Sequence, residues 1–499
     1  MAEVYDVLIR NAQVYDGGGG PPSNVDVALE HDRIVRVGSL DGASAKRDID
    51  ASGLALAPGF IDVHTHDDFA ALLHPDMGFK SRGGVTTCIV GNCGFGCAPF
   101  RHAVDMLGKL VPSEKIAPYQ GHAGYAAALE ANPPGVNIGV LAGHGTIRRA
   151  VAGSADRELS GSEMSAMKML LQEAIDAGVF GISSGLIYDP GRYASTEELV
   201  ELVSTMRGTG ALYVTHMRNE GTGLAGSVAE AIEIGARGGV GVQISHHKAR
   251  GRESWGMVKD SLALIEAAQQ RGEDVHADQY PYTAGSTSLQ TILENGAFSD
   301  DPDAGAMRDV DPAEVVVASA PGHPEWEGRS IAELSKALDQ APRAVAQGIV
   351  RETPGITVVM HMMSEEDVQR VLRHPSTMIG SDGIPTLEGK PHPRLYNSFA
   401  RVLGHYSRDV GLFDLSTAIF RMTGFPARKF SLHDRGVVKE GAYADLVLFD
   451  AATVIDKGTY DDPNQYPVGI KQVFVNGGIA VLDDVVQAQR HGRVLRRSS

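Results

Sequence analysis

The stretch GFIDVHTHDD, residues 59–68, runs from apolar to densely polar within ten positions. A short apolar run of this kind, set off by Pro58-Gly59, reads as a buried strand. His64 and His66 stand two apart at its end, so the period-two geometry of a strand points both imidazoles to the same side. Eight further apolar runs follow: VTTCIVGN (85–92), NIGVLAGHG (137–145), VFGISSGLIY (179–188), LYVTHMRNEG (212–221), GVQISHHKARG (241–251), DVHADQYPY (274–282), ITVVMHMM (356–363) and TMIGSDG (377–383). Amphipathic helical patterns such as SEMSAMKMLLQEAIDAG (162–178) and SVAEAIEIGARGG (227–239) lie between them. Alternating βα units of this length imply a parallel sheet, and eight of them closed into a (β/α)8 barrel take up roughly 250 residues plus insertions. Nine runs compete for eight places, so one of DVHADQYPY and ITVVMHMM is an extra strand.

Both chain ends read differently. DVLIRNAQVYDG (6–17) and DVALEHDRIVRVGS (26–39) alternate as strands around short polar turns. ADLVLFDAATVI (444–455), GIKQVFVNGGIAVLDD (469–484) and GRVLRR (492–497) do the same. A small β-sandwich assembled from residues 1–57 and 432–499 around a barrel at 58–431 is the economical division, because chain termini often lie close together. Residues from about 286 to 350 break the βα rhythm with an Asp-, Pro- and Gly-rich segment and are expected to form an insertion on the barrel rim.

The chain has 499 residues and a net charge of −17, from 45 basic and 62 acidic side chains. That balance argues against generic nucleic-acid or anionic-membrane binding. Three cysteines are too few and too odd in number for a secreted disulfide scaffold, which points to a reducing compartment. The N-terminus alternates like a strand instead of presenting a basic region and an apolar core, and no stretch of 18 apolar residues occurs. The expected location is the cytoplasm.

In a (β/α)8 barrel the active site lies at the C-terminal ends of the strands. Here one strand after another ends in a metal-ligand type: His64 and His66, then Cys93, His216, His246 with His247, and Asp382. A lone HxH is a weak signal, and a lone buried histidine is more often a core residue. Ligand types at successive strand ends are hard to obtain from packing, and imidazole, thiolate and carboxylate together suit Zn²⁺. By strand parity Cys88 faces away from Cys93 and reads as core; Cys97, beyond the strand, reads as a loop brace or a spare thiol. His247 faces away from His246, and His361 is left without a role. His74, His102, His122, His374 and His392 read as ordinary surface or rim residues.

PGFIDVHTHDD, the C-terminal DRGVVKEGAYADLVLFD (434–450) and the context of Cys93 resemble the amidohydrolase superfamily. The set GNCG, GHGTIR, THMRNEG, ISHHK, YPYTAGST, MSEEDV, GSDG, HPRLY and DDPNQYPVGI resembles, more narrowly, the N-acyl-D-amino-acid deacylases, over nearly the whole chain. That resemblance implies an α/β barrel plus a small β-domain, with one tight zinc held by Cys93, His216 and His246. It implies a second, weaker zinc position at His64 and His66, and it assigns Asp382 as the catalytic base and acid. Many superfamily members bridge their metals with a carboxylated lysine after the fourth strand. GISSGLIYDPG has none, and a cysteine from the second strand would replace it.

The expected chemistry is hydrolysis of the amide bond of a small N-acyl-D-amino acid by metal-activated water, with Asp382 shuttling the proton. The substrate's α-carboxylate calls for a cation, and Lys248 and Arg394 are the candidates, with Tyr188 and Tyr282 beside them. His144 is expected near substrate without being a ligand. Where many relatives continue YPYTAGST with a Leu-Pro-Pro-Trp-type segment, this chain has SLQTILENGAFSDD (288–301), which puts substrate preference in question. A cyclic-amide, aryl-amide or toxin amidase is the nearest alternative, and a non-catalytic binding relative is a more distant one. A homo-oligomer stays open.

Overall fold

The computed structural model describes residues 4–107, 113–301 and 303–497. Eight parallel strands follow one another around a barrel: Phe60–Asp62, Val85–Val90, Asn137–Val140, Gly181–Gly185, Leu212–His216, Gly241–Ile244, Val275–Gln279 and Thr377–Ile379. The fourth to eighth pair in register as one parallel sheet, and the first three as another. Ala142–Gly143, one residue past the third strand, pairs with the fourth and joins the two. The eighth meets the first through a parallel bridge between Thr65 and Gly383. ITVVMHMM is therefore the extra strand, and DVHADQYPY supplies the seventh barrel strand.

The helices show why the sequence adopts this form. Gly161–Asp176 opens with a capping box, in which Ser160 and Glu163 satisfy each other's backbone N–H groups, a device worth about 1 kcal/mol. It buries Met164, Met167, Leu171, Ala174 and Ile175, one stripe at helical spacing. The second strand is buried throughout, as a strand covered on both faces must be.

The expected insertion is a small subdomain. Ala284–Ser288, Val315–Ser319 and Thr357–His361 form an antiparallel sheet with Thr357–His361 in the middle, flanked by helices Leu289–Glu294, Ile331–Leu338 and Pro342–Glu352. Both chain ends build one nine-stranded sheet, in which Ala55–Pro58 pairs with Leu446–Phe449 and so joins the N-terminal to the C-terminal strands. Its own apolar core includes Ile9, Leu29, Leu56, Leu446 and Phe474. Among the described residues no helix is long and apolar enough to cross a membrane.

Candidate metal centre

The strand ends deliver the polar residues through strained turns. Cys93, His246 and Asp382 all adopt positive φ (55°, 34° and 50°). Non-glycine residues occupy this region rarely and at a cost of order 1–3 kcal/mol, and such outliers concentrate at functional sites. Glycine makes room for the Cys93 turn: a Cβ on Gly185, at the end of the fourth strand, would collide with the carbonyl oxygen of Cys93. The place a fourth-strand side chain would occupy is thus filled by the loop that carries the thiol. On the opposite side, Asp382 N–H donates to the His64 carbonyl (2.7 Å) and His66 N–H to the Gly383 carbonyl (3.0 Å). These bonds set Asp382 across from the histidine pair.

The donor atoms converge. Cys93 Sγ lies 3.3 Å from His64 Nε2 and 3.5 Å from His246 Nε2. Asp382 Oδ1 lies 3.1 Å from His66 Nε2 and 3.4 Å from His64 Nε2. One donor atom from each of His64, Cys93, His246 and Asp382 falls within 4.8 Å of all the others, and His216, Glu220 and His246 form a second such group. Burial opposes the Cys93 thiolate, but the imidazoles of His64 and then His246 outweigh it and hold the thiol well below its ordinary range. Burial likewise opposes the Asp382 carboxylate; Arg394, then His64 and His246, hold it well below the usual carboxylate range. Neither ring nitrogen of the buried His216 has a hydrogen-bond partner among the described residues. A thiolate, a carboxylate and convergent imidazoles, one of them without a hydrogen bond among the described residues, form a donor set that fits a borderline-soft divalent ion such as zinc.

Carboxylates brace the imidazoles from behind. Asp278, at the end of the seventh strand, places Oδ1 3.1 Å from His64 Nδ1 and accepts from the His246 backbone N–H (2.8 Å) and from Gln243. Glu220 places Oε1 2.9 Å from His246 Nδ1 and 2.6 Å from Lys248 Nζ. Partners of this kind fix the tautomer and orientation of a ligating histidine. Arg394 places a guanidinium nitrogen 2.9 Å from Asp382 Oδ2 and stacks over the ring of Tyr280. A cavity of about 320 Å³ opens above the centre, with His66, Tyr188, Lys248, Tyr280, Asp382 and Arg394 among its walls.

Residues 47–481 match the model of the amidohydrolase family. The chain belongs to the amidohydrolase family. It is 39% identical over 506 residues to the D-aminoacylase of Alcaligenes xylosoxydans xylosoxydans, an alignment covering 100% of this chain and 99% of that one. Among solved structures, a D-aminoacylase superposes with a TM-score of 0.89 at 41% identity, over 99% of this chain and 100% of its own. The N-acyl-D-glutamate deacylase of Bordetella bronchiseptica, solved with zinc and a phosphonate mimic of the tetrahedral intermediate, superposes with a TM-score of 0.90 at 35% identity, over 99% of this chain and 100% of its own.

Within this amidohydrolase, His64, His66, Cys93, His216, His246 and Asp382 meet at the barrel mouth, with Lys248, Arg394 and Tyr188 around it. Tyr282 does not join them. Its ring packs against His392 and Tyr460 away from the cavity, and Tyr280, just past the end of the seventh strand, lines the wall instead. His144 is bonded to Glu198 (3.0 Å), which also binds Arg148, and does not line the cavity. His247 turns away to Ser261 (2.8 Å), and His361, at the exposed end of the insertion sheet, meets Tyr460 edge to face. His122 and His392, expected as surface or rim residues, are buried. Cys88 and Cys97 are buried free thiols. Glu220 and Asp278 escaped the sequence reading. Glu220 follows His216 by four residues in THMRNEG, and Asp278 stands at a strand end in DVHADQYPY, signals visible once that run is assigned to the barrel.

Proposed function

We propose that this amidohydrolase cleaves the amide bond of N-acyl-D-amino acids, releasing a carboxylate and a free D-amino acid, with zinc as its metal. The observation that carries the reading is Cys93 Sγ set between His64 and His246, with Asp382 facing it across the mouth, in a chain alike over its full length to D-aminoacylase. Cys93, His216 and His246 would hold the tight ion, and His64 and His66 a second, weaker one. When bound, zinc supplies Lewis acidity to the amide carbonyl and to the attacking water.

The chain's own residues do the rest. Arg394 engages Asp382 Oδ2 and leaves Oδ1, turned toward the histidines, as the atom that takes the water's proton. The same oxygen then returns the proton to the departing amine nitrogen. Lys248 and Arg394, with Tyr188 and with Tyr280 in place of Tyr282, would orient the α-carboxylate. The small substrate and the three free cysteines fit a cytoplasmic enzyme. The test is amine release by zinc-loaded protein from N-acetyl-D-methionine and its L-enantiomer. Cleavage of the D-form alone is expected; no cleavage of either by zinc-bound protein would reject the substrate class.

A further inference from the structure

The cations on the cavity wall are not equivalent. Lys248 is paired with Glu220 at 2.6 Å, and Arg394 with Asp382 at 2.9 Å. Arg149, nearer the rim, lies between Asp105 (3.9 Å) and Asp189 (3.7 Å). Arg250 also lines the cavity, is 7% exposed, and has no carboxylate within 4 Å among the described residues. One guanidinium nitrogen donates to the Ala306 carbonyl (2.7 Å). Burial draws Arg250 below its ordinary value while Glu220 and Glu253 oppose that, and a guanidinium remains charged regardless. A charge buried with no counter-ion is costly, so an anion supplied by a ligand is the natural complement.

The surroundings of Arg250 indicate which anion. Arg250, Met360 and Met362 form the wall between the main cavity and an adjoining one of about 630 Å³, and Met307 lies beside them on the main side. Flexible thioethers suit a methylene stem, and the guanidinium at their edge suits a carboxylate at its end. We infer that Arg250 receives a second carboxylate, on the substrate's side chain, and that the preferred substrates are N-acyl derivatives of acidic D-amino acids. This rests on the deacylase reading above, in which Lys248 and Arg394 already serve the α-carboxylate.

The experiment compares kcat/KM of the zinc-loaded enzyme for N-acetyl-D-glutamate, N-acetyl-D-glutamine, N-acetyl-D-methionine and N-succinyl-D-methionine, in wild type and in Arg250→Met and Arg250→Lys. Glutamate and glutamine differ only in the charge under test. Wild type is expected to favour D-glutamate over D-glutamine by on the order of 100-fold, the scale of losing one partner of a buried charge pair. Arg250→Met should erase that ratio with D-methionine turnover kept, and Arg250→Lys should retain part of it. Wild-type cleavage of D-glutamine or D-methionine at least as fast as D-glutamate overturns the inference even if neither variant folds. Acceleration confined to the N-succinyl compound would place the second carboxylate on the acyl group and also overturn it. Failure on every D-substrate rejects the deacylase reading itself.

Discussion

Replacing Lys80 with methionine tests what holds the catalytic rim in place. Lys80 is 2% exposed, and its ammonium donates to Asp62 Oδ2 (2.8 Å), Thr65 Oγ1 (2.9 Å) and Ser381 Oγ (2.9 Å), with Asp67 at 3.3 Å. Asp62 in turn accepts from the Ser381 backbone N–H (2.8 Å) and hydroxyl (2.6 Å). This network spans the seam between the first and eighth strands, where a single bridge replaces a ladder, directly behind His64 and Asp382. Burial opposes the ammonium, but Asp62 and then Asp67 hold its pKa above the ordinary lysine value. Lys80→Met keeps the volume and strands the Asp62 charge, which costs about 3–5 kcal/mol. Unfolding entropy of about 2.1 cal/mol/K per residue comes to roughly 1 kcal/mol/K over 499 residues, so the apparent Tm should fall by about 3–5 °C. Because the seam sets Asp382, kcat should fall at least about tenfold with zinc content retained. The assay pairs a melt at fixed scan rate with single-substrate kinetics. The double variant Lys80→Met/Asp62→Asn should be less destabilised than Lys80→Met alone, since Asp67 is then the one carboxylate of the pair left stranded. A single variant that melts within about 1 °C of wild type and turns over normally would refute the reasoning.

Other expectations follow from the same geometry. Asp382→Ala should retain zinc and lose turnover by about 10²–10⁴-fold; a fully active variant removes Asp382 as the proton carrier. Cys93→Ser should lose the tightly held ion on dialysis, read by atomic absorption, and full retention would strike Cys93 from the ligand set. Lys248→Met should raise KM about tenfold or more with a smaller effect on kcat, and an unchanged KM would free Lys248 from carboxylate binding. His122 is buried, and burial lowers its pKa to about 4. The unfolded chain takes up a proton near pH 6.5 that the folded chain refuses until about pH 4, so stability falls as pH drops through that window, by about 3 kcal/mol in all. His122→Leu should flatten that limb of the melting curve, and an unaltered limb would show that other groups set it.

Much of the architecture was legible because the barrel repeats one local rule eight times. Apolar runs ending in ligand types mark strands whose C-terminal ends share a rim, and five candidate ligands and Asp382 could be named from those runs. The extra strand was not legible. ITVVMHMM and DVHADQYPY have the same local pattern, and only the pairing of Thr357–His361 between two insertion strands separates them. Tyr280 and Tyr282 are likewise equivalent in sequence, and the turn that follows the seventh strand, where Tyr282 N–H donates to the Tyr280 carbonyl (3.0 Å), decides which of them meets the cavity.

The sequence alone thus determined the identities, spacing and order of the donors, which depend on periodicities of two and 3.6 residues along the chain. Tertiary structure decided which charges neutralise one another. Glu220 meets Lys248 across 28 residues, Asp278 meets His64 across 214, and Lys80 meets Ser381 across 301. Lys248, Arg394 and Arg250 look alike in the sequence as cations near a site. Closure of the barrel pairs the first two with Glu220 and Asp382 and leaves the third lining the cavity with no carboxylate within 4 Å among the described residues. Electrostatic energy depends on distance in space and on burial, and neither is carried by local pattern.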